Sequence, residues 1–210
     1  MSYLEYKYNA STNNRIKKKP KRKIKEIDED LIDDEIMPLD NLGKLFGGGN
    51  HDVVDKVKNH IYFYCDVNTQ NCLVLNQHIV SLNKELQKVS LDYNIESPKI
   101  YLHINSYGGD LLSSFSSIDY IRNSKVPIVS IIEGSAASAA TLMSIVCSER
   151  YMTSHSFMLI HQLSSCAYGK YEEMKDDMEN SDRFMDMIYD LYLEHTNIKR
   201  KSLEEVSRFY

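Results

Sequence analysis

Three short segments carry residue types that can do chemistry together. A glycine pair, Gly108 and Gly109, ends Asn-Ser-Tyr-Gly-Gly at 105–109; Ser138 and Ala139 sit in Gly-Ser-Ala-Ala-Ser-Ala-Ala at 134–140; and His161 stands in Met-Leu-Ile-His-Gln at 158–162. A serine at the start of a helix can act as a nucleophile, and an imidazole at a strand end can take its proton. A glycine that closes a strand can turn its backbone N–H toward a developing oxyanion. Taken singly, each segment has an ordinary reading. Gly-Gly after a strand makes a turn, small residues let a helix pack closely, and a histidine beside an apolar strand is commonly a satisfied core or rim group. Their order and context give the chemical reading its weight.

The elements that must position these groups are legible from periodicity. Ile61 to Val67 is rich in β-branched and aromatic residues and reads as a buried strand. Leu75, Ile79, Leu82, Leu86 and Val89 fall at helical steps. Ile100 to Ile104 reads as a second strand, Leu111, Phe115, Ile118 and Ile121 or Arg122 as a second helix, Val126 to Ile132 as a third strand and Ser138 to Val146 as a third helix. Strands alternating with helices imply parallel pairing, with functional groups collected at strand ends. Gly109 and Ser138 both fall at such junctions, where a helix starting at Ser138 would point its positive end at an oxyanion. From Gly169 to His195 runs the longest helical pattern, with Tyr171, Met174, Met178, Met185, Ile188 and Tyr192 as its stripe; taken alone, that stripe reads as core-facing.

Composition limits the other classes. The chain has 210 residues, 42% of them hydrophobic, enough for one core and a tail. No apolar stretch reaches the length of a membrane span, and the N-terminus has no hydrophobic signal core. Cys65, Cys72, Cys147 and Cys166 lack C-x-x-C spacing, which favours reduced thiols in a cytoplasmic compartment over a zinc site or a disulfide framework. Residues 1–55 read as a disordered tail and 56–210 as the domain. The tail holds a basic run, Arg15 to Lys25, and an acidic block from Glu26 to Glu35. Blocks of opposite charge cannot bury a core and partly neutralise each other. With a formal net charge of −5, the whole chain gives no support for nucleic-acid binding.

Three longer stretches resemble the proteolytic subunit of the Clp (caseinolytic) proteases. They are Tyr-Leu-His-Ile-Asn-Ser-Tyr-Gly-Gly-Asp at 101–110, Val-Ser-Ile-Ile-Glu-Gly-Ser-Ala-Ala-Ser-Ala-Ala at 129–140 and Phe-Met-Leu-Ile-His-Gln at 157–162. The likeness runs from about Ile61 to the end of the chain. It implies an α/β head of parallel βα units, crotonase-like, with a long handle helix after Gly169. It implies Ser138 as nucleophile, His161 as general base, the N–H groups of Gly109 and Ala139 as oxyanion hole, and Gly108, Asp110, Leu111 and Ser164 as substrate-binding residues. Leu163 to Tyr168 resembles the strand that carries bound peptide, where substrate adds as a further strand. The partners implied are unfolded polypeptide, an AAA+ ATPase and further copies in stacked heptameric rings. No cofactor is implied, and the chain has no P-loop of its own.

The chain departs from the family pattern in several places. Ala139 replaces the usual Met, Tyr107 and Leu163 stand where Pro is common, and the loop from Ser138 to His161 is about two residues short. The catalytic Asp that the resemblance implies is expected a few residues past Tyr210, which makes the sequence look truncated there and its activity doubtful. A catalytically impaired structural subunit is therefore the alternative reading. An acyl-CoA enzyme of the same superfamily would share the two-amide oxyanion hole but would not need a Ser–His pair.

Overall fold

The computed structural model describes residues 53–165 and 168–209. The basic and acidic runs of the tail lie outside them. Among the described residues the chain opens with a β-hairpin, β1 (Val53–Val57) and β2 (His60–Tyr64), followed by α1 (Thr69–Tyr93), β3 (Ile100–Ser106) and α2 (Leu111–Arg122). Then come β4 (Ile128–Ala137), α3 (Ala139–Ile145), β5 (Glu149–Met152), β6 (Phe157–Leu159), α4 (Tyr171–His195) and α5 (Arg200–Phe209). The strands form one sheet in the order β1-β2-β3-β4-β5, with β6 also on β4. Every pairing except the hairpin is parallel. This is the mixed α/β head with a parallel-dominated sheet that the alternation of patterns implies.

Local chemistry explains the boundaries. Asn68 caps α1 by accepting from the Asn71 N–H at 2.8 Å, and Asn94 ends the helix in the left-handed region at φ 49°. Along α1, Cys72, Leu75, Ile79 and Leu82 are buried against a sheet face carrying Ile61, Phe63, Ile100, Leu102 and Ile104. Asn83 ties α1 to the entry of β4. Its Oδ1 accepts from the Lys125 and Val126 N–H groups at 2.8 and 3.0 Å, and its Nδ2 donates to the Ile79 carbonyl.

The other sheet face carries a polar chain. Tyr64 donates to Glu133, His103 Nδ1 lies 3.0 Å from the same carboxylate, and His60 Nδ1 lies 2.8 Å from His103 Nε2. A carboxylate only accepts, so His103 presents Nδ1–H to Glu133, which leaves its Nε2 to accept from His60. Burial alone would raise the Glu133 carboxyl, but the hydrogen bonds from Tyr64 and His103 outweigh it and hold the group below its ordinary value. Burial, with the His103 ring beside it, lowers His60.

Several sequence expectations need correction. The first strand ends at Tyr64 rather than Val67; Val67 instead makes a separate parallel bridge to Gly109. β1 begins at Val53, ahead of the boundary read at residue 56, and turns into β2 through Lys58 at φ 55°. β4 continues to Ala137, since Ser135 to Ala137 gain a partner in β6. α4 is as long as α1, not longer. Its stripe faces the core only near the C-terminal end, where Ile188, Leu191 and Tyr192 are buried, while Tyr171 and Met178 are exposed. Leu163 to Ser165 form no strand; the Leu163 N–H meets Met185 Sδ at 3.3 Å instead of a ladder carbonyl. Cys65, Cys72 and Cys147 are buried and form no disulfide. No described helix is long and apolar enough to cross a membrane.

Candidate active site

The ends of β3, β4 and β6 converge. Beyond β3, Gly108 and Gly109 take φ values of 96° and 144°. The bridge to Val67 fixes them. Val67 N–H donates to the Gly108 carbonyl at 2.8 Å, and Asp110 N–H donates to the Val67 carbonyl at 2.7 Å. In a parallel bridge of this kind the central residue's own N–H points away from the partner strand, so that of Gly109 is directed elsewhere. A Cβ at Gly109 would lie 2.2 Å from the Val67 oxygen, so the approach requires glycine. A Cβ at Gly108 would lie 2.7 Å from Ser138 Cβ, which shows how closely the glycine pair lies against the serine.

Ser138 occupies the turn from β4 into α3 with φ 53° and ψ −127°, an unfavourable backbone state for a residue with a side chain. Bonds on either side hold it there. Its N–H donates to the Leu159 carbonyl at 2.8 Å, and its own carbonyl accepts from the Thr141 N–H at 2.9 Å and Thr141 Oγ1 at 2.5 Å. Because Thr141 gives its proton to Ser138, the buried Tyr192 hydroxyl must donate to Thr141 Oγ1. Burial pushes the Tyr192 phenol well above its ordinary pKa, so it stays protonated for that bond. Ala139 is the first residue of α3, where a helical N–H has no partner within the helix.

A cleft of about 480 Å³ is lined by Gly109, Asp110, Leu111, Ser138, Ala139, His161 and Ser164, so all but one of the site residues expected from sequence border a single space. Gly108, the remaining one, packs behind Ser138. Ser138 and His161 share the cleft without a hydrogen bond between them. His161 Nδ1 lies 2.6 Å from the Gln162 carbonyl, an acceptor that makes Nδ1 the protonated nitrogen and leaves Nε2 its lone pair. Among the described residues no carboxylate bonds to His161. Glu204 pairs with Arg200 at 3.0 Å, and Glu205 approaches Lys201 at 4.0 Å. Asp110 is committed to the start of α2, accepting from the Ser113 N–H at 2.8 Å.

A family model described as Clp protease matches residues 58–208. The chain belongs to the Clp protease family. It is 31% identical over 130 residues to the ATP-dependent Clp protease proteolytic subunit 2 of Treponema denticola, covering 58% of this chain and 65% of that protein. It is 27% identical over 139 residues to the ATP-dependent Clp protease proteolytic subunit of Nephroselmis olivacea, covering 64% of this chain and 67% of that one. The match thus spans about two thirds of the length of these relatives.

Within this Clp-family head, the sequence reading missed the wall contributed by α4. Asp177, Asn180, Ser181, Phe184, Ile188 and Tyr192 line the cleft. Their spacing puts them on one helical face, and that periodicity was visible in the sequence. It did not say that the face borders a cleft, because its polar outer half resembles a solvated surface.

Proposed function

We propose that this chain is a serine endopeptidase subunit of a Clp-type assembly. Ser138 attacks the scissile carbonyl, His161 accepts its proton through Nε2 and returns it to the leaving amine, and the N–H groups of Gly109 and Ala139 receive the oxyanion. The observation that carries the reading is the convergence of the glycine pair, the strained Ser138 and His161 on one cleft. Two serines close to Ser138 in sequence have structural work. Ser135 donates to Asn105 at 3.2 Å, and the buried Ser144 lies 2.9 Å from Ser130.

The assembly and its supply of substrate belong to the same proposal. Unfolded polypeptide enters a chamber enclosed by stacked rings, fed by an AAA+ ATPase; Gly108, Asp110, Leu111 and Ser164 border the bound peptide. The exposed first half of α4 supports a role as a handle between copies, because Tyr171 and Met178 find no cover within the chain's described residues. A serine-directed fluorophosphonate is expected to label Ser138, with labelling lost in Ser138→Ala. An adduct mapped to Ser135 or Ser144, or equal labelling of the variant, refutes the assignment. Sedimentation should show a species far heavier than one chain, and a monomer at micromolar concentration counts against the ring.

One observation favours a second reading, a catalytically impaired structural subunit. His161 has a main-chain carbonyl rather than a carboxylate on Nδ1, and it makes no hydrogen bond to Ser138. In a Ser–His–Asp triad, loss of the acid's charge costs about 10⁴-fold in rate. Failure of Ser138 to react, in a folded and ring-forming protein, decides for this reading.

A further inference from the structure

We infer that Asp177 is a specificity-determining residue, which makes the cleft prefer a peptide carrying a lysine or arginine side chain a few positions from the residue held at its inner, apolar end. The inference rests on the peptidase reading of the same cleft. Among the described residues two acidic ones line that space, Asp110 and Asp177, and no lysine or arginine does. Their situations differ. Asp110 spends its carboxylate on the Ser113 N–H and hydroxyl, at the positive end of α2. Asp177 lies on an exposed turn of α4, and among the described residues no ion pair or side-chain hydrogen bond engages its carboxylate; its backbone carbonyl accepts from Ser181 Oγ. Among the described residues lining the cleft, it is the acidic side chain left uncommitted.

The α4 face sets the distance at which that charge is read. From Asp177 through Asn180 and Ser181 to Phe184 the lining changes from charged to polar to apolar, and Ile188 and Leu142 continue the apolar end. Asp177 and Phe184 stand two helical turns apart, about 10 Å along the axis at 1.5 Å per residue. An extended peptide advances about 3.3 Å per residue, so the two positions are about three peptide residues apart. A cationic side chain with a flexible stem meets Asp177 there, and an acidic one is repelled.

The test uses the full chain carrying Ser138→Ala, so that peptides bind without turnover, and fluorescein-labelled decapeptides with one phenylalanine. Lysine, alanine or glutamate is placed three positions to either side of it. Anisotropy titration at low salt should show the lysine peptide binding about fivefold tighter than the glutamate peptide, the scale of an exposed ion pair, and the preference should shrink as salt is added. In Asp177→Asn the preference should vanish, and in Asp177→Lys it should invert. Equal affinities, a preference that survives Asp177→Asn, or no binding by any peptide overturns the inference. Fluorophosphonate labelling of Ser138 in the unaltered chain reports on the peptidase reading separately.

Discussion

Gly109→Ala probes the site at its tightest point. The added Cβ would meet the Val67 carbonyl oxygen at 2.2 Å, and that oxygen is backbone, with no rotamer to escape into. Relief needs a displacement of about 1 Å to reach ordinary contact distance. Such a shift stretches the Asp110-to-Val67 and Val67-to-Gly108 bonds, now 2.7 and 2.8 Å, beyond useful range. Two bonds at about 1 kcal/mol each, with about 1–3 kcal/mol for an alanine held at φ near 144°, sum to roughly 3–5 kcal/mol. For a domain of this size that is a fall in melting temperature of about 10 °C. The same shift swings the Gly109 N–H off its line, and losing one oxyanion donor costs about 10²–10³-fold in rate. The assay pairs a thermal melt with the rate of fluorophosphonate labelling at Ser138, well below the variant's melting temperature. Gly134→Ala is the control: its φ is 92° and its Cβ would press on the Asn105 side chain, so it should destabilise while leaving labelling within a few-fold. If Gly109→Ala labels at the unaltered rate with an unchanged melt, the glycine is neither a required turn nor an oxyanion donor.

Other expectations are simpler to measure. Asn83→Ala leaves the Lys125 and Val126 N–H groups without their acceptor and should cost about 2–3 kcal/mol in urea unfolding, with Asn83→Asp recovering most of it. Thr141→Val removes both the donor to the Ser138 carbonyl and the acceptor for the buried Tyr192 hydroxyl, so it should cost about 1–3 kcal/mol, whereas Tyr192→Phe should cost about 1 kcal/mol or less. His60 and His195 both have folded-state pKa values below the ordinary 6.5, from burial first, so their contribution is present above that pH and is lost as pH falls through the folded values. Melting temperature should therefore drop below pH 6.5, and less steeply in a His60→Asn, His195→Gln variant. Glu133, also lowered, loses its contribution at more acidic pH, below the ordinary carboxylate value, so Glu133→Gln should flatten the acid limb of the same curve.

What was legible in the sequence follows from how local each feature's cause is. The α1 stripe and the buried faces of β2 and β3 are set by side-chain period alone, and they stand where the period puts them. The far half of β4 is different. Ser135 to Ala137 have little strand propensity and extend because β6, arriving later in the chain, supplies a ladder on one edge while Ser106 of β3 pairs with Ala136 on the other. β1 was hidden because the Lys58-Asn59 turn lacks a hairpin signature. That Gly109, Ser138, Ala139 and His161 border one cleft was readable because parallel sheets gather their strand ends along one edge. The acceptor on His161 and the Asp177 wall were not, since each depends on how a loop or helix finally lies against its neighbours.

β4 has a further consequence, for where this chain can change length. One of its edges is held by β3, and the other by β5 and β6 in succession, so those two short strands act as one interrupted edge strand. Between Ile104 and Ser106 on one side and Ile132 and Ala136 on the other, β3 spends two residues while β4 spends four. That surplus sets which way the residues after it point. Deleting one residue there inverts the alternation and turns Ser138 away from His161. The turn at 153–156, opposite the same place, carries no such parity, because β5 and β6 each keep their own pairing with β4. Insertions and deletions in relatives of this chain should therefore collect at the turn and be absent from the stretch between Ile132 and Ser138.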